Sequence, residues 1–330
     1  MGYNIFMTDR QLPSMLDIQC PICNTLEDSK NISTHFFKVE NEEHYFHLCY
    51  CQKCEIGFLN PQPQEDILKL FYPDYFWRDT SGASFWIENK IVEKLFTSEI
   101  ALIKKYSSCS AQPASMKILD VGCGSGDFLS LLNKTGWQAH GIDTSVEVLA
   151  KIAAGPDSTI TIASIMDEDL PFQEESFDVV ILLHTLEHVN DPCKAISNVY
   201  KLLKPGGIVI VQVPNYGSFL SQIFKSKWIG LQIPRHLFHF TPRSLLLLHK
   251  QMHLQCKKVA YYSIRSSPAQ VASTFFPSLE PAHIRQTTKS NIKSFCLKGL
   301  YLLFLILLLP ISLVEAIFHR GNTITIVAEK

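Results

Sequence analysis

The stretch Ile118-Leu-Asp-Val-Gly-Cys-Gly-Ser-Gly126 constrains this chain more than any other. A short apolar run that ends in an acid and then in alternating glycines reads as a buried strand entering a tight turn. Glycine at 122, 124 and 126 permits positive φ and removes the Cβ that would hold a ligand away from the backbone. The helical periodicity of 127–135 follows directly. Strand, bare turn and helix in that order build, in doubly wound sheets, a ligand site at the carboxyl ends of the strands.

The surrounding pattern supports such a sheet. Strand-like runs at 116–121, 138–142, 159–163, 177–183 and 208–213 alternate with helical patterns at 127–135, 145–153 and 192–203. That alternation predicts an α/β fold, a doubly wound and mostly parallel Rossmann-like sheet with helices on both faces. Further helical spacing covers 85–106, and 107–115 reads as a linker, so the expected division is 1–80, 81–115 and 116–330. The chain has 330 residues, 46% of them hydrophobic and 18% charged, enough for a large core. A net charge of -1 gives no basic field for a phosphate backbone and argues against a nucleic-acid partner.

The ligand class follows from two acids. A dinucleotide fingerprint needs its last glycine where Asp127 stands, and an acid there repels pyrophosphate but tolerates a cationic ligand. Gly141-Ile-Asp143 ends the next strand, where a carboxylate can accept both ribose hydroxyls.

Ten cysteines are present, and Cys20-Pro-Ile-Cys23 with Cys51-Gln-Lys-Cys54 forms two Cys-x-x-Cys pairs. Each pair can offer two thiolates to one edge of a tetrahedral ion, so a structural zinc site in a ribbon-like module is expected, with Cys49 as a spare thiol. Residues 1–17 show no basic start followed by an apolar run, which predicts a cytoplasmic protein with reduced thiols.

Ile118-Leu-Asp-Val-Gly-Cys-Gly-Ser-Gly-Asp-Phe-Leu, Gly141-Ile-Asp, Leu170-Pro-Phe, Ser176-Phe-Asp-Val-Val, Leu186-Glu-His-Val, Asp191-Pro and Leu203-Lys-Pro-Gly-Gly stand in order along the chain. They resemble the successive motifs of class I S-adenosylmethionine-dependent methyltransferases. The resemblance implies a seven-stranded sheet whose last strand is antiparallel. It also implies that Gly122 and Gly124, with their neighbours Asp120, Cys123 and Gly126, hold the methionine end of the cofactor. Asp143 and the adjacent Thr144 would take the ribose, and Leu183 and His184 would line the cofactor. Asp167, or else the backbone of Ile165 or Met166, would read the adenine. The segments 57–63 and 71–76 resemble those joining such a module to methyltransferase domains in sugar- and glycan-modifying enzymes.

Transfer to oxygen or carbon usually needs a proton removed, so a histidine near the acceptor is expected. His184, His188, His236 and His239 are candidates; His236 is the chosen base, with Arg235 orienting the acceptor. His184-Thr-Leu-Glu-His188 also matches an inverted zinc-protease pattern, which needs a helix here where a post-strand turn is expected.

Residues 299–318 form an apolar run of membrane-spanning length. The alternating 322–328 reads as the final strand of the sheet, so the chain must return to the same side. A hairpin broken near Pro310 and lying in one leaflet satisfies both demands, with Lys293, Lys298 and Arg320 at lipid heads. A buried core or dimer helix, or a true span, are the alternatives. The expected activity is O-methylation of a small-molecule, glycan or lipid-linked acceptor, with peripheral membrane contact through 295–318. C-methylation of a nucleotide-linked keto-sugar and a non-catalytic cofactor-binding scaffold are the other readings.

Overall fold

In a computed structural model of the protein, the described residues are 16–25, 27–39, 42–63, 67–68, 71, 94–107, 115–145, 159–288 and 291–330. The first strands, β1 (Ser29–Val39), β2 (Glu42–Cys51) and β3 (Ile56–Asn60), form an antiparallel meander. The central sheet contains β4 (Lys117–Val121), β5 (Gln138–Asp143), β6 (Thr159–Ile162), β7 (Phe177–Leu183) and β8 (Leu203–Pro214). Beyond these come β9 (Phe238–His239), β10 (Gln255–Ala260) and β11 (Thr323–Glu329).

The central sheet has seven strands in the order β10-β11-β8-β7-β4-β5-β6. Neighbours from β8 through β7, β4 and β5 to β6 are parallel, and β11 lies antiparallel between β8 and β10. This is the expected topology, and its cause is legible in composition. Val179, Val180, Ile181 and Leu182 are all fully buried, as a strand covered on both faces requires. One difference concerns β8, which starts at Leu203 and not at 208. Leu203 pairs with Phe177, and the Gly206 N–H donates to the Lys330 carbonyl, so the Lys-Pro-Gly-Gly run still finds ladder partners.

The helices among the described residues are α1 (Thr97–Tyr106), α2 (Asp127–Lys134), α3 (Pro192–Leu202), α4 (Phe219–Phe224) and α5 (Pro242–Gln251). They continue with α6 (Ser267–Phe275), α7 (Pro281–Thr287), α8 (Asn291–Leu307) and α9 (Leu309–Ile317). Residues 85–93 and 146–153 of the expected helices, and 72–76 of the joining segment, lie outside the described residues. α3 starts where sequence predicts: the Asp191 carboxylate accepts from the Lys194 N–H, and Pro192 occupies the first turn.

The apolar tail departs from the expected hairpin. α8 and α9 are separated only by Leu308, whose backbone is still right-handed helical, and Leu308, Ile311 and Ser312 keep helical hydrogen bonds across the break. Pro310 falls in the first turn of α9, where a missing N–H bends a helix without reversing it. The result is one kinked helix lying along the body.

The N-terminal meander does not stand apart. β9 pairs with β3 as its fourth strand, Gly57 opposite His239 and Phe58 opposite Phe238. Thr241 Oγ1 donates to the Glu55 carbonyl, Gln251 to that of Ile22, and the Cys193 thiol to that of Pro21. One buried apolar cluster runs from Phe46 and Phe58 through Phe238 and Leu245 to Val180 and Leu182.

Candidate active site

The turn after β4 takes the backbone that its glycines allow: φ is 71° at Gly122, 50° at Gly124 and 70° at Gly126, the residue that caps α2. The N–H groups of Gly122 and Cys123 donate to the Ile142 carbonyl at 2.8 and 3.2 Å, which ties the turn to β5. Asp143 completes the junction. Its Oδ2 accepts from the Gly124 N–H and its Oδ1 from the Ser145 N–H, both at 2.9 Å. Each carboxylate oxygen has a second lone pair, so a fixed Asp143 can still accept ribose hydroxyls. Thr144 is exposed beside it.

Two glycines have an inward reason that the sequence did not disclose. A Cβ at Gly122 would sit 2.6 Å from Thr185 Oγ1, and one at Gly141 would sit 2.8 Å from Cys123 Sγ. Thr185 leans over the turn because its hydroxyl donates to the Val121 carbonyl at 2.9 Å. Cys123 therefore packs inward against β5, and burial pushes its thiol well up.

Asp120, the last but one residue of β4, is 4% exposed. Burial raises its carboxyl to about 7, with Arg265 opposing the rise and Asp143 adding to it. Arg265 is the residue that sequence reasoning missed: its guanidinium lies 4.6 Å over the Phe96 ring and interacts with Glu99, Asp127 and Asp120. It belongs to no motif, and only the packing of α1 and the segment before α6 brings it here. Asp127 accepts from the Ser125 hydroxyl at 2.8 Å.

Leu183 and His184 close β7. His184 has φ 57°, its Nε2 is 2.8 Å from Ser266 Oγ, and its Nδ1 is 3.3 Å from Glu187 Oε1. Ser266 donates to Gln212 Oε1, Gln212 Nε2 donates to Glu99 Oε1, and Ser263 donates to the same oxygen. A buried polar chain thus links α1, β8 and the α6 entry to the edge of the site. Residues 184–190 form turns and no helix, which disposes of the protease pattern. Asp167 is exposed; its Oδ2 accepts from the Ser164 N–H at 2.8 Å, while Asn198 donates to the Ile165 and Asp167 carbonyls.

The expected histidines do meet. His188 and His236 stack edge to face with ring centroids 4.6 Å apart. His188 Nδ1 lies 3.0 Å from the Arg235 carbonyl, and His236 Nδ1 lies 2.8 Å from that of Gly230. A carbonyl only accepts, so each Nδ1 carries the proton and the neutral ring keeps a basic Nε2. Burial lowers both rings below the ordinary histidine value, His236 far below it. Glu187 is 1% exposed, and its Oε2 has no hydrogen-bond partner among the described residues. One ligand atom from each of Glu187, His188 and His236 lies within 4.8 Å of the others. The Glu187 carbonyl accepts from the N–H groups of Leu237 and Phe238, hanging β9 from the same turn. His239 is different: its Nε2 pairs with the Leu231 carbonyl at 3.0 Å and burial lowers it to about 4. His236 is 4% exposed, whereas His188 is only partly buried.

Away from this edge, Cys20, Cys23, Cys51 and Cys54 bring their Sγ atoms within 4.8 Å of one another, Cys23 and Cys51 at 3.6 Å. A tetrahedron of zinc–sulfur bonds of about 2.3 Å needs sulfurs just under 4 Å apart, so the donor set fits. Burial raises the Cys20 thiol to about 12, a cost that a bound cation would remove. Cys49 is not part of the cluster.

A family model described as a methyltransferase domain matches residues 93–258. Two curated relatives are both ubiquinone biosynthesis O-methyltransferases. The one from Hydrogenovibrio crunogenus is 33% identical over 165 residues, 48% of this chain and 65% of its own length. The one from Histophilus somni is 26% identical over 218 residues, 62% of this chain and 87% of its own length. Among solved structures, phosphoethanolamine N-methyltransferase 2 of Haemonchus contortus shares the fold at TM-score 0.50 and 18% identity, covering 83% of this chain and 62% of that one.

Proposed function

The chain belongs to the methyltransferase-domain family, and from that premise we propose that it is an S-adenosylmethionine-dependent O-methyltransferase acting on a small molecule. The observation that carries the reading is a juxtaposition on one sheet edge. The Gly122–Gly126 turn and Asp143 stand at the ends of β4 and β5, and the Glu187, His188 and His236 cluster follows the next strand, β7.

The residues present fit the cofactor: a turn without Cβ atoms at 122, 124 and 126, a carboxylate at Asp143 fixed by the Gly124 and Ser145 amides, and an acid at Asp127 that disfavours a pyrophosphate. When bound, S-adenosylmethionine supplies an electrophilic methyl group on a sulfonium. Asp143 would hold the ribose, and Gly122, Cys123, Gly124 and Gly126, with Asp120, would bear the amino-acid end. Thr144, Leu183 and His184 would flank it, and Asp167, or the backbone of Ile165 or Met166, would read the adenine. The chain's main task is alignment, which is worth up to about 7–11 kcal/mol of a displacement barrier.

His188 and His236 supply the base. A hydroxyl acceptor loses its proton to a neutral Nε2 as its oxygen takes the methyl group, and Glu187 stabilises the imidazolium that results. His188, being the more exposed, receives the proton, and His236 beside it fixes its ring; Arg235, whose carbonyl orients His188, steers the acceptor. The O-methyltransferase relatives support oxygen as the acceptor atom. A lipid-linked acceptor, met at the cytoplasmic face of a membrane through 295–318, is the reading that the apolar helix supports. Zinc, held by Cys20, Cys23, Cys51 and Cys54, is structural, since four thiolates fill its shell.

Calorimetry with S-adenosylhomocysteine and with NAD tests the cofactor, and labelled methyl transfer to a catechol- or phenol-bearing lipid tests the reaction. Heat with the first ligand and none with the second is expected. Heat with NAD alone would overturn the assignment.

A further inference from the structure

The helix formed by α8 and α9 packs a mixed inner face, with Leu297, Phe304, Leu305 and Leu308 beside a few polar side chains, and leaves an apolar face outside. Its inner stripe carries Tyr301, Ser312 and Glu315, all buried. Tyr301 shares a hydrogen bond with Ser273, and the Glu315 carboxylate accepts from the Leu220 N–H and the Asn322 amide. Its outer face shows Phe295, Leu303, Ile306, Leu307, Ile317 and Phe318, from 50% to 79% exposed. In water an apolar face left bare in this way is unfavourable, because the hydrophobic effect favours covering it.

The apolar face extends beyond the helix. Phe318 meets Phe219 of α4, Phe224 of α4 meets Phe275 at the end of α6, and Phe276 stacks on Phe304 of α8. Phe219 and Ile223 are themselves exposed. Charge around the face is mainly basic, with Glu280 near Tyr301 the acidic exception. Exposed Lys225 and Lys227 follow α4, Arg320 follows α9, and Lys293 and Lys298 lie at the start of α8. From 291 to 320 the single acid is Glu315, which points inward.

We propose that this surface, α4 with α8 and α9, seats the protein flat in one leaflet of an anionic membrane. Crossing is ruled out by contacts along the helix: Tyr301, Phe304, Glu315 and Phe318 touch the body in succession, and Gly321 is tied to Asn215 as the chain enters β11. A helix covered on one side by protein and bare on the other lies in the interface plane. The cationic rim selects anionic headgroups, and each such residue adds to the attraction. The consequence for the site rests on the methyltransferase reading: α4 and the 228–240 segment are consecutive in the chain, so the acceptor is an amphiphile whose tail stays in the leaflet while its hydroxyl reaches His188.

The test is flotation of the full chain with vesicles of phosphatidylcholine alone or mixed with phosphatidylglycerol. Binding to the mixed vesicles, weakened by salt and weaker on neutral ones, is expected. Replacing Leu303, Ile306 and Ile317 together with Ser should weaken binding by tenfold or more, since each forfeits burial of a large apolar side chain. Lys225→Glu with Lys227→Glu should remove the anionic preference. Circular dichroism and S-adenosylhomocysteine calorimetry check that these variants fold. No flotation with either vesicle, or a dimer that the triple-Ser variant dissolves, overturns the proposal. Flotation without any methyl transfer leaves the docking standing and overturns the acceptor; methyl transfer to a soluble phenol without flotation overturns the docking and the amphiphilic acceptor and leaves only the methyltransferase reading standing.

Discussion

Gly122→Ala separates two reasons for a glycine at the head of this turn. With φ at 71°, an alanine there adopts a left-handed conformation that costs about 1–2 kcal/mol. Its Cβ would also lie 2.6 Å from Thr185 Oγ1, a distance that no alanine tolerates, so Thr185 must move. Moving it breaks the hydrogen bond from its hydroxyl to the Val121 carbonyl, worth about 0.5–1.5 kcal/mol net. The expected total is about 2–3 kcal/mol of folding stability, with any effect on cofactor affinity additional to it. In a Thr185→Ala background the two closest atoms, Oγ1 and Cγ2, are gone and only the Cβ at 3.2 Å remains, so Gly122→Ala should cost little beyond the conformational part. Urea unfolding of the four proteins, with zinc present and no nucleotide added, measures a coupling near 1 kcal/mol. If the two substitutions add without coupling, Thr185 is not what demands the glycine. If Gly122→Ala is harmless to stability altogether, the backbone argument fails as well.

Other expectations concern each part of the site. Asp143→Ala removes the acceptor of the Gly124 and Ser145 amides and of the proposed ribose contacts, so S-adenosylhomocysteine should bind roughly 10–100-fold more weakly by calorimetry. Burial lowers His188 and His236 below the ordinary histidine value, so both are neutral at pH 7 and gain a proton only on the acid side of that value. The methyl-transfer rate should be flat across neutral pH and fall on the acid side, a limb that His188→Gln abolishes along with most of the rate. Chelating the metal, or Cys51→Ser, should lower the thermal midpoint and remove the bound zinc seen by atomic absorption; unchanged stability after complete zinc loss would refute a structural role.

The fold was legible because its strands are apolar runs that only a two-faced sheet can bury, and its order followed from the motifs at 118–126, 141–143 and 203–207. The four cysteines met because two short pairs need only one β-hairpin to converge. The histidines at 188 and 236 were individually visible, but their edge-to-face contact depends on the turn after β7 meeting the segment before β9. Arg265 and Thr185 were invisible, since each acts through tertiary neighbours that leave no local pattern. Hydropathy located the apolar tail correctly yet misjudged Pro310, whose place in a first turn bends the helix and does not fold it back.

The pairing of β3 with β9 has a consequence for how this protein can be cut or evolve. Excising residues 1–80 would not free an autonomous catalytic unit; it would strip Phe238 and His239 of their neighbour and leave a raw edge able to recruit foreign strands. Any replacement grafted at the N-terminus inherits a steric rule as well. It packs most easily with a residue without a side chain where Gly57 now lies, because a Cβ there would come within 3.1 Å of the His239 Cβ and β9 would have to give by a few tenths of an ångström.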